Sequence, residues 1–105
     1  MNKLITVAVI DSGIYPHIDF KNRIVAFKDF VNGRKNAYDD CGHGTHVSGI
    51  IAGSGYASHG RIKGICPAAN LAGIKVLDRL GNGRIENVLD AAGWIISHQK
   101  DLNIR

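Results

Sequence analysis

The sequence predicts an α/β fold in which a parallel sheet is flanked by helices, and three stretches carry that prediction. Residues 4–13, Leu-Ile-Thr-Val-Ala-Val-Ile-Asp-Ser-Gly, open with a continuous apolar and β-branched run. Such a run reads as a strand buried on both faces, and strands of that kind belong mostly to parallel sheets covered by helices. Residues 71–77, Leu-Ala-Gly-Ile-Lys-Val-Leu, read as another strand. From Arg84 to Lys100, the residues Ile85, Val88, Leu89, Ala92 and Ile96 recur at the spacing of an amphipathic helix, which would cover one face of the sheet.

The first run ends on Asp11. In open α/β sheets, ligands and catalytic groups collect in the crevice outside the carboxyl ends of the strands. A carboxylate there, followed by Ser12-Gly13, is an acid at a functional edge. Tyr15-Pro16 then makes a turn, and residues 24–27, Ile-Val-Ala-Phe, read as a short second strand. Residues 29–40 form a polar loop with Asn32-Gly33 as its turn signal. That loop delivers the chain to residues 39–53, where two histidines, a thiol and four glycines fall within fifteen residues. Gly42 and Gly44 let backbone approach on either side of His43, and Val47, Ile50 and Ile51 follow at helical spacing. The pattern is a loop that ends in a helix, with His43 near its first turn. Residues 54–64, rich in Gly and Ser, read as an exposed loop.

A length of 105 residues leaves room for one domain. The formal charge of +4 is spread from Lys3 to Arg105 with no run of three basic residues, unlike the cluster or stripe of a nucleic-acid or anionic-membrane surface. No stretch of eighteen apolar residues is present to span a bilayer. Asn2-Lys3 leads straight into strand sequence with no small-residue cleavage site after it, which argues against a signal peptide and favours the cytoplasm. With no export signal, Cys41 and Cys66 are expected to be free thiols. There is no Cys-x-x-Cys pair and no His-Glu-x-x-His. His46 is therefore expected to be a buried, hydrogen-bonded support for the loop rather than a zinc ligand. The glycines around His43 complete neither Gly-x-Gly-x-x-Gly nor a Lys-Ser/Thr phosphate loop.

Asp11 in Val-Ile-Asp-Ser-Gly-Ile and His43 in Gly-His-Gly-Thr-His-Val resemble the first two catalytic signatures of the subtilases, the subtilisin-like serine proteases. Their order agrees with the Asp, His, Ser order of subtilisin. His17-Ile18-Asp19-Phe20 is similar to the family's His-Pro-Asp-Leu segment, with isoleucine in place of proline. Gly64-Ile65-Cys66-Pro67-Ala68 resembles its Gly-Val-Ala-Pro segment, and residues 74–78 with Gly81-Asn82-Gly83 resemble its Val-Lys-Val-Leu segment.

The resemblance implies a subtilisin-like fold of which residues 1–105 form the amino-terminal half, an incomplete catalytic domain. It implies peptide-bond hydrolysis by an Asp-His-Ser triad, with His43 as general base and Asp11 orienting its imidazole. The serine is expected from outside this chain, because Ser12, Ser48, Ser54, Ser58 and Ser97 lie in no Gly-Thr-Ser-Met-Ala motif. Gly81, Asn82 and Gly83 resemble the family's exposed segment against which an extended substrate pairs as an added strand. Leu77, Ile85 and Val88 would line apolar pockets beside it. No cofactor is implied for catalysis. Asp19 matches a family aspartate that often ligates a structural calcium, but residues 48–76 contain no carboxylate, which argues against that site. The implied partners are a polypeptide substrate and the missing carboxy-terminal part of the domain, with no nucleic acid and no membrane. A truncated, inactive subtilase that binds a peptide or partner chain is the alternative from another class.

Overall fold

The apolar runs lie side by side as strands, and the helices that follow them cover opposite faces. A computed structural model describes residues 4–105; the reading of Asn2-Lys3 lies outside the described residues. The elements are β1 (Thr6–Asp11), β2 (Ile24–Asp29), α1 (His43–Ala52), β3 (Asn70–Lys75) and α2 (Ile85–Leu102). Single 3-10 turns occur at Ile18–Phe20 and Tyr56–Ser58. The sheet order is β1-β3-β2 with both pairs parallel. Asp11 and Asp29 both stand opposite Lys75, so all three strands reach one carboxyl edge together.

Side chains alternate along the strands and divide the core in two. On one face Val9 and Leu71 pack with Ile14, Phe20 and Ala52, and Val47 and Ile51 of α1 close over them. On the other, Ala72, Ile74 and Val76 meet Ala91, Trp94 and Ile95 of α2. Leu71 through Lys75 are buried throughout, as a strand between two neighbours and two helices should be. β1 departs from the expectation of burial on both faces: Ile10 is 41% exposed. It is an edge strand here, and α2 covers its face only in part. β3 also stops at Lys75, short of Leu77, because Leu77 turns away to bridge Gly83 in antiparallel fashion.

The inward face of α2 differs from the one its spacing suggested. Ala91 is fully buried, with Trp94 and Ile95 beside it, whereas Ile85, Leu89 and Ile96 are 71%, 67% and 73% exposed. Two apolar stripes compete on this helix. The large indole buries more area than any single aliphatic side chain, and Ala91 lets the helix sit close to the sheet. After α2, Asn103 takes a left-handed conformation (φ 54°) and the chain returns to the sheet. Thr6 N–H donates to the Asn103 carbonyl, Arg105 N–H donates to the Thr6 carbonyl, and Ile104 bridges Thr6 in parallel.

The exposed Ile10, Ile85, Leu89 and Ile96 represent apolar area that small domains rarely leave in water. The isolated chain is therefore expected to melt at low temperature with a concentration-dependent midpoint. Thermal circular dichroism with sedimentation at several concentrations checks this, and a sharp monomeric melt at high temperature would contradict it.

Candidate active site

Asp11 closes β1 and His43 opens α1, and the connection between the two elements brings these side chains into contact. His43 Nδ1 lies 3.0 Å from Asp11 Oδ1 and 2.9 Å from Oδ2. The Asp11 residue is only 9% exposed, whereas the His43 side chain is 64% exposed. The carboxylate is thus recessed and the ring stands in front of it. Ser12 N–H holds Asp11 Oδ1 from behind at 2.7 Å. A carboxylate on Nδ1 favours the tautomer protonated there, which leaves the Nε2 lone pair able to take a proton from an approaching hydroxyl.

The start of α1 is held by groups outside it. Its N-cap, Gly42 (φ 98°), has no side chain to satisfy the first amides. Gly44 N–H donates instead to Ser12 Oγ at 2.9 Å, and Thr45 N–H donates to Asp39 Oδ2 at 2.9 Å. Asp39 also accepts from the Thr45 hydroxyl, from Cys41 and Gly42 N–H, and from Ser12 Oγ at 2.8 Å. Burial pushes the Asp39 carboxyl up, but the hydrogen bonds from Thr45, Gly42 and Ser12 outweigh it and bring it down to about 2. Gly44 is required by closeness: a Cβ there would fall 2.1 Å from the Gly13 carbonyl oxygen. Neither Ser12 nor Asp39 was singled out from sequence. The signal was Asp39 placed just ahead of a helix whose cap is glycine, the spacing at which a carboxylate reaches free amides.

Behind this layer, Asp29 is 5% exposed and accepts from the amides of Val31, Asn32 and Arg34 and from the Tyr38 hydroxyl. Burial pushes its carboxyl up, but the bond from Tyr38 and those amides bring it below the ordinary value. Burial and the bond to Asp29 raise the Tyr38 phenol in turn. The polar loop is therefore ordered from within.

The segment resembling a substrate-pairing strand is a compact turn. Asp78 N–H donates to the Asn82 carbonyl, and the Asp78 carboxylate accepts from Leu80 and Asn82 N–H. Gly81 has φ 80°, and Gly83 faces Leu77. Asn82 and Gly83 line an open cavity of about 290 Å³ together with Phe30, Val31, Asp78 and Glu86. Leu77, Ile85 and Val88 do not line it. Leu77 packs instead on the Ala72 and Ile74 cluster, Ile85 stands 71% exposed, and Val88 is 42% exposed. The turn directs Leu77 inward, while Ile85 stands exposed in the first turn of α2.

His46 is exposed rather than buried, because Gly44, Ser48 and Ala52 form the inner stripe of α1 and His46 falls outside it. Its ring borders a cavity of about 460 Å³ shared with His17, Asp19 and Ile50. Asp19 Oδ1 accepts from Ala57 N–H. Among the described residues no group of three or more His, Cys, Asp or Glu is placed to hold a metal ion. Cys41 and Cys66 are free and exposed. No helix among the described residues is long and apolar enough to cross a membrane.

The profile of the Subtilase family matches residues 2–104. The serine protease AprX of Bacillus subtilis is 46% identical over 99 residues, which is 94% of this chain and 22% of that protein. Subtilisin E of the same organism is 39% identical over 100 residues, 93% of this chain and 25% of that protein. The crystal structure of a cold adapted subtilisin-like serine proteinase superposes with a TM-score of 0.75 at 36% identity, over 87% of this chain and 31% of that one. The chain thus spans about a quarter of the length of these two curated relatives.

Asp39 gives a test by pH. Its folded value of about 2 lies below the ordinary carboxylate value of about 3.9, so it contributes stability above pH 4 that is lost as pH falls toward 2. Asp39→Asn should cost roughly 1–2 kcal/mol near pH 7, the scale of a lost helix cap, and the gap to the parent should close toward pH 2. Urea unfolding across that range measures both.

Proposed function

Because the chain belongs to the subtilase family, we propose that it supplies the acid–base half of a serine endopeptidase, with Asp11 and His43 as the catalytic residues present. The contact of 2.9–3.0 Å between His43 Nδ1 and the recessed Asp11 carboxylate is the observation that carries this reading. In the reaction, a serine hydroxyl attacks the peptide carbonyl while His43 Nε2 takes its proton. The imidazolium is stabilised by Asp11 and returns the proton to the leaving amine. Water then repeats the cycle on the acyl-enzyme.

The serine comes from polypeptide outside this chain. The hydroxyls of Ser12, Ser54, Ser58 and Ser97 are engaged in hydrogen bonds within the chain, and Ser48 Oγ is buried with no partner among the described residues. The missing part of the domain is the natural partner. Ile104 makes an isolated parallel bridge to Thr6, which supports a continuation along the outer edge of β1. A polypeptide substrate would lie extended beside the turn at Gly81, Asn82 and Gly83. Because Gly81 N–H, Asn82 N–H and the Asn82 carbonyl are bonded to Asp78 in this chain, the main-chain pairing would fall on the Gly81 carbonyl and Gly83 or need the turn to open. Val88 and Ile85 would contact it only at the exposed rim, and Leu77 would act from behind by fixing Gly83. No cofactor takes part in this scheme.

The test joins this chain to a polypeptide bearing the remainder of a subtilase domain and follows cleavage of an unstructured peptide. Cleavage is expected, and Asp11→Asn should lower kcat about 10⁴-fold, the scale of losing the orienting carboxylate in such triads. Peptide binding without cleavage in every combination would favour an inactive binding module instead.

A further inference from the structure

Lys75 is the largest fully buried side chain among the described residues. It occupies the last position of β3, directly opposite Asp11 on one side and Asp29 on the other. Its ammonium pairs with neither of those carboxylates. Nζ donates to the Ser12 carbonyl at 2.7 Å, to Asp40 Oδ1 at 2.7 Å and to the Leu77 carbonyl at 2.6 Å. An ammonium has three donors, and all three are used. The Tyr38 ring lies 5.3 Å from Nζ, and Tyr38 is in turn bonded to Asp29.

Burying a charge is unfavourable unless it is paired and fully hydrogen-bonded, so a lysine with no exposed surface calls for an explanation. Its three acceptors belong to three different segments. Ser12 follows Asp11 in the turn after β1. Asp40 lies in the loop that ends at His43. Leu77 begins residues 77–83, where it bridges Gly83. The Asp11 carbonyl reinforces the junction by accepting from Val76 and Leu77 N–H. Only a long side chain with several donors can span these segments from one backbone position. An apolar side chain of equal length would fill the space but leave two carbonyls and a carboxylate without their donor.

We propose that Lys75 is a positioning residue that fixes the Asp11–His43 pair and ties it to the Leu77–Gly83 ribbon. Within the endopeptidase reading, on which its catalytic meaning rests, Lys75 sets the distance between the acid–base pair and the Leu77–Gly83 turn beside which the substrate would lie. It touches no reacting atom. It acts through Ser12 on Asp11, through Asp40 on His43, and through Leu77 on Gly83.

The test is a proton and nitrogen NMR spectrum of this chain completed by the rest of its domain, with labelled histidine, read at the His43 Nδ1–H resonance. That signal is expected in the parent and lost or exchange-broadened in Lys75→Met, with amide dispersion reporting that the fold is kept. Lys75→Cys, in a background with Cys41→Ser and Cys66→Ser, should recover the signal when the thiol is alkylated with 2-bromoethylamine, which rebuilds a side chain ending in an ammonium. Should Lys75→Met not fold, Asp40→Ala removes one acceptor at a half-exposed position and should shift or broaden the same resonance. An unchanged His43 signal in a folded Lys75→Met or in Asp40→Ala overturns the proposal, as does absence of the signal from the parent. Peptide cleavage by the completed domain decides the endopeptidase reading separately. A silent enzyme with the resonance pattern above would end that reading and leave the role of Lys75 standing.

Discussion

Ser12 is the hinge on which the geometry turns. Its hydroxyl donates to Asp39 and accepts from Gly44 N–H, so one side chain joins the end of β1 to the start of α1. Each such bond contributes only about 1 kcal/mol net. Their placement matters more than their sum, because Asp11 and His43 are the immediate neighbours of the residues so joined. A helix that began half a turn later would face its histidine elsewhere. Glycine at positions 13 and 44 lets the backbones meet closely enough for the hydroxyl to reach both partners.

Charge at this edge of the sheet is arranged in depth. Asp11, Lys75 and Asp29 end the three strands in register, yet each is satisfied by different groups. Asp29 orders the polar loop through Tyr38 and three amides, Lys75 draws that loop inward through Asp40, and Asp11 is left to hold His43. Fully satisfied polar networks of this kind rigidify their surroundings, while a single unsatisfied member is costly. The open imidazole thus rests on carboxylates and an ammonium that are each hydrogen-bonded, and Ser48 Oγ on the inner stripe of α1 is the exception among the described residues, buried without a partner. The exposed apolar stripe of α2 and the outer edge of β1 beyond Thr6, where Ile104 bridges it, show the opposite character, since nothing in the described residues covers them.

The parts legible in the sequence were those with local signals. The apolar runs gave β1 and β3, the glycines around His43 gave the loop-to-helix junction, and the order of Asp11 and His43 gave the family. Outcomes set by competition across the fold were not legible. Ile85, Leu89 and Ile96 have the spacing of a buried face, but Trp94, Ile95 and Ala91 won that position because they fit the Ala72 and Ile74 surface better. His46 lost its expected burial to the Gly44, Ser48 and Ala52 stripe. Asp39 and Lys75 look like ordinary loop and strand residues in the sequence, and only the meeting of distant segments reveals what they hold.

Alkylation by a peptidyl chloromethyl ketone tests the central claim most directly, because such a reagent combines substrate-like binding with an electrophile placed near the general base. The protein is this chain completed by the rest of its domain, and the adduct is located by peptide mapping. The account predicts modification at Nε2 of His43, dependent on an intact Asp11. An adduct confined to Cys41, or no adduct at all, would contradict it.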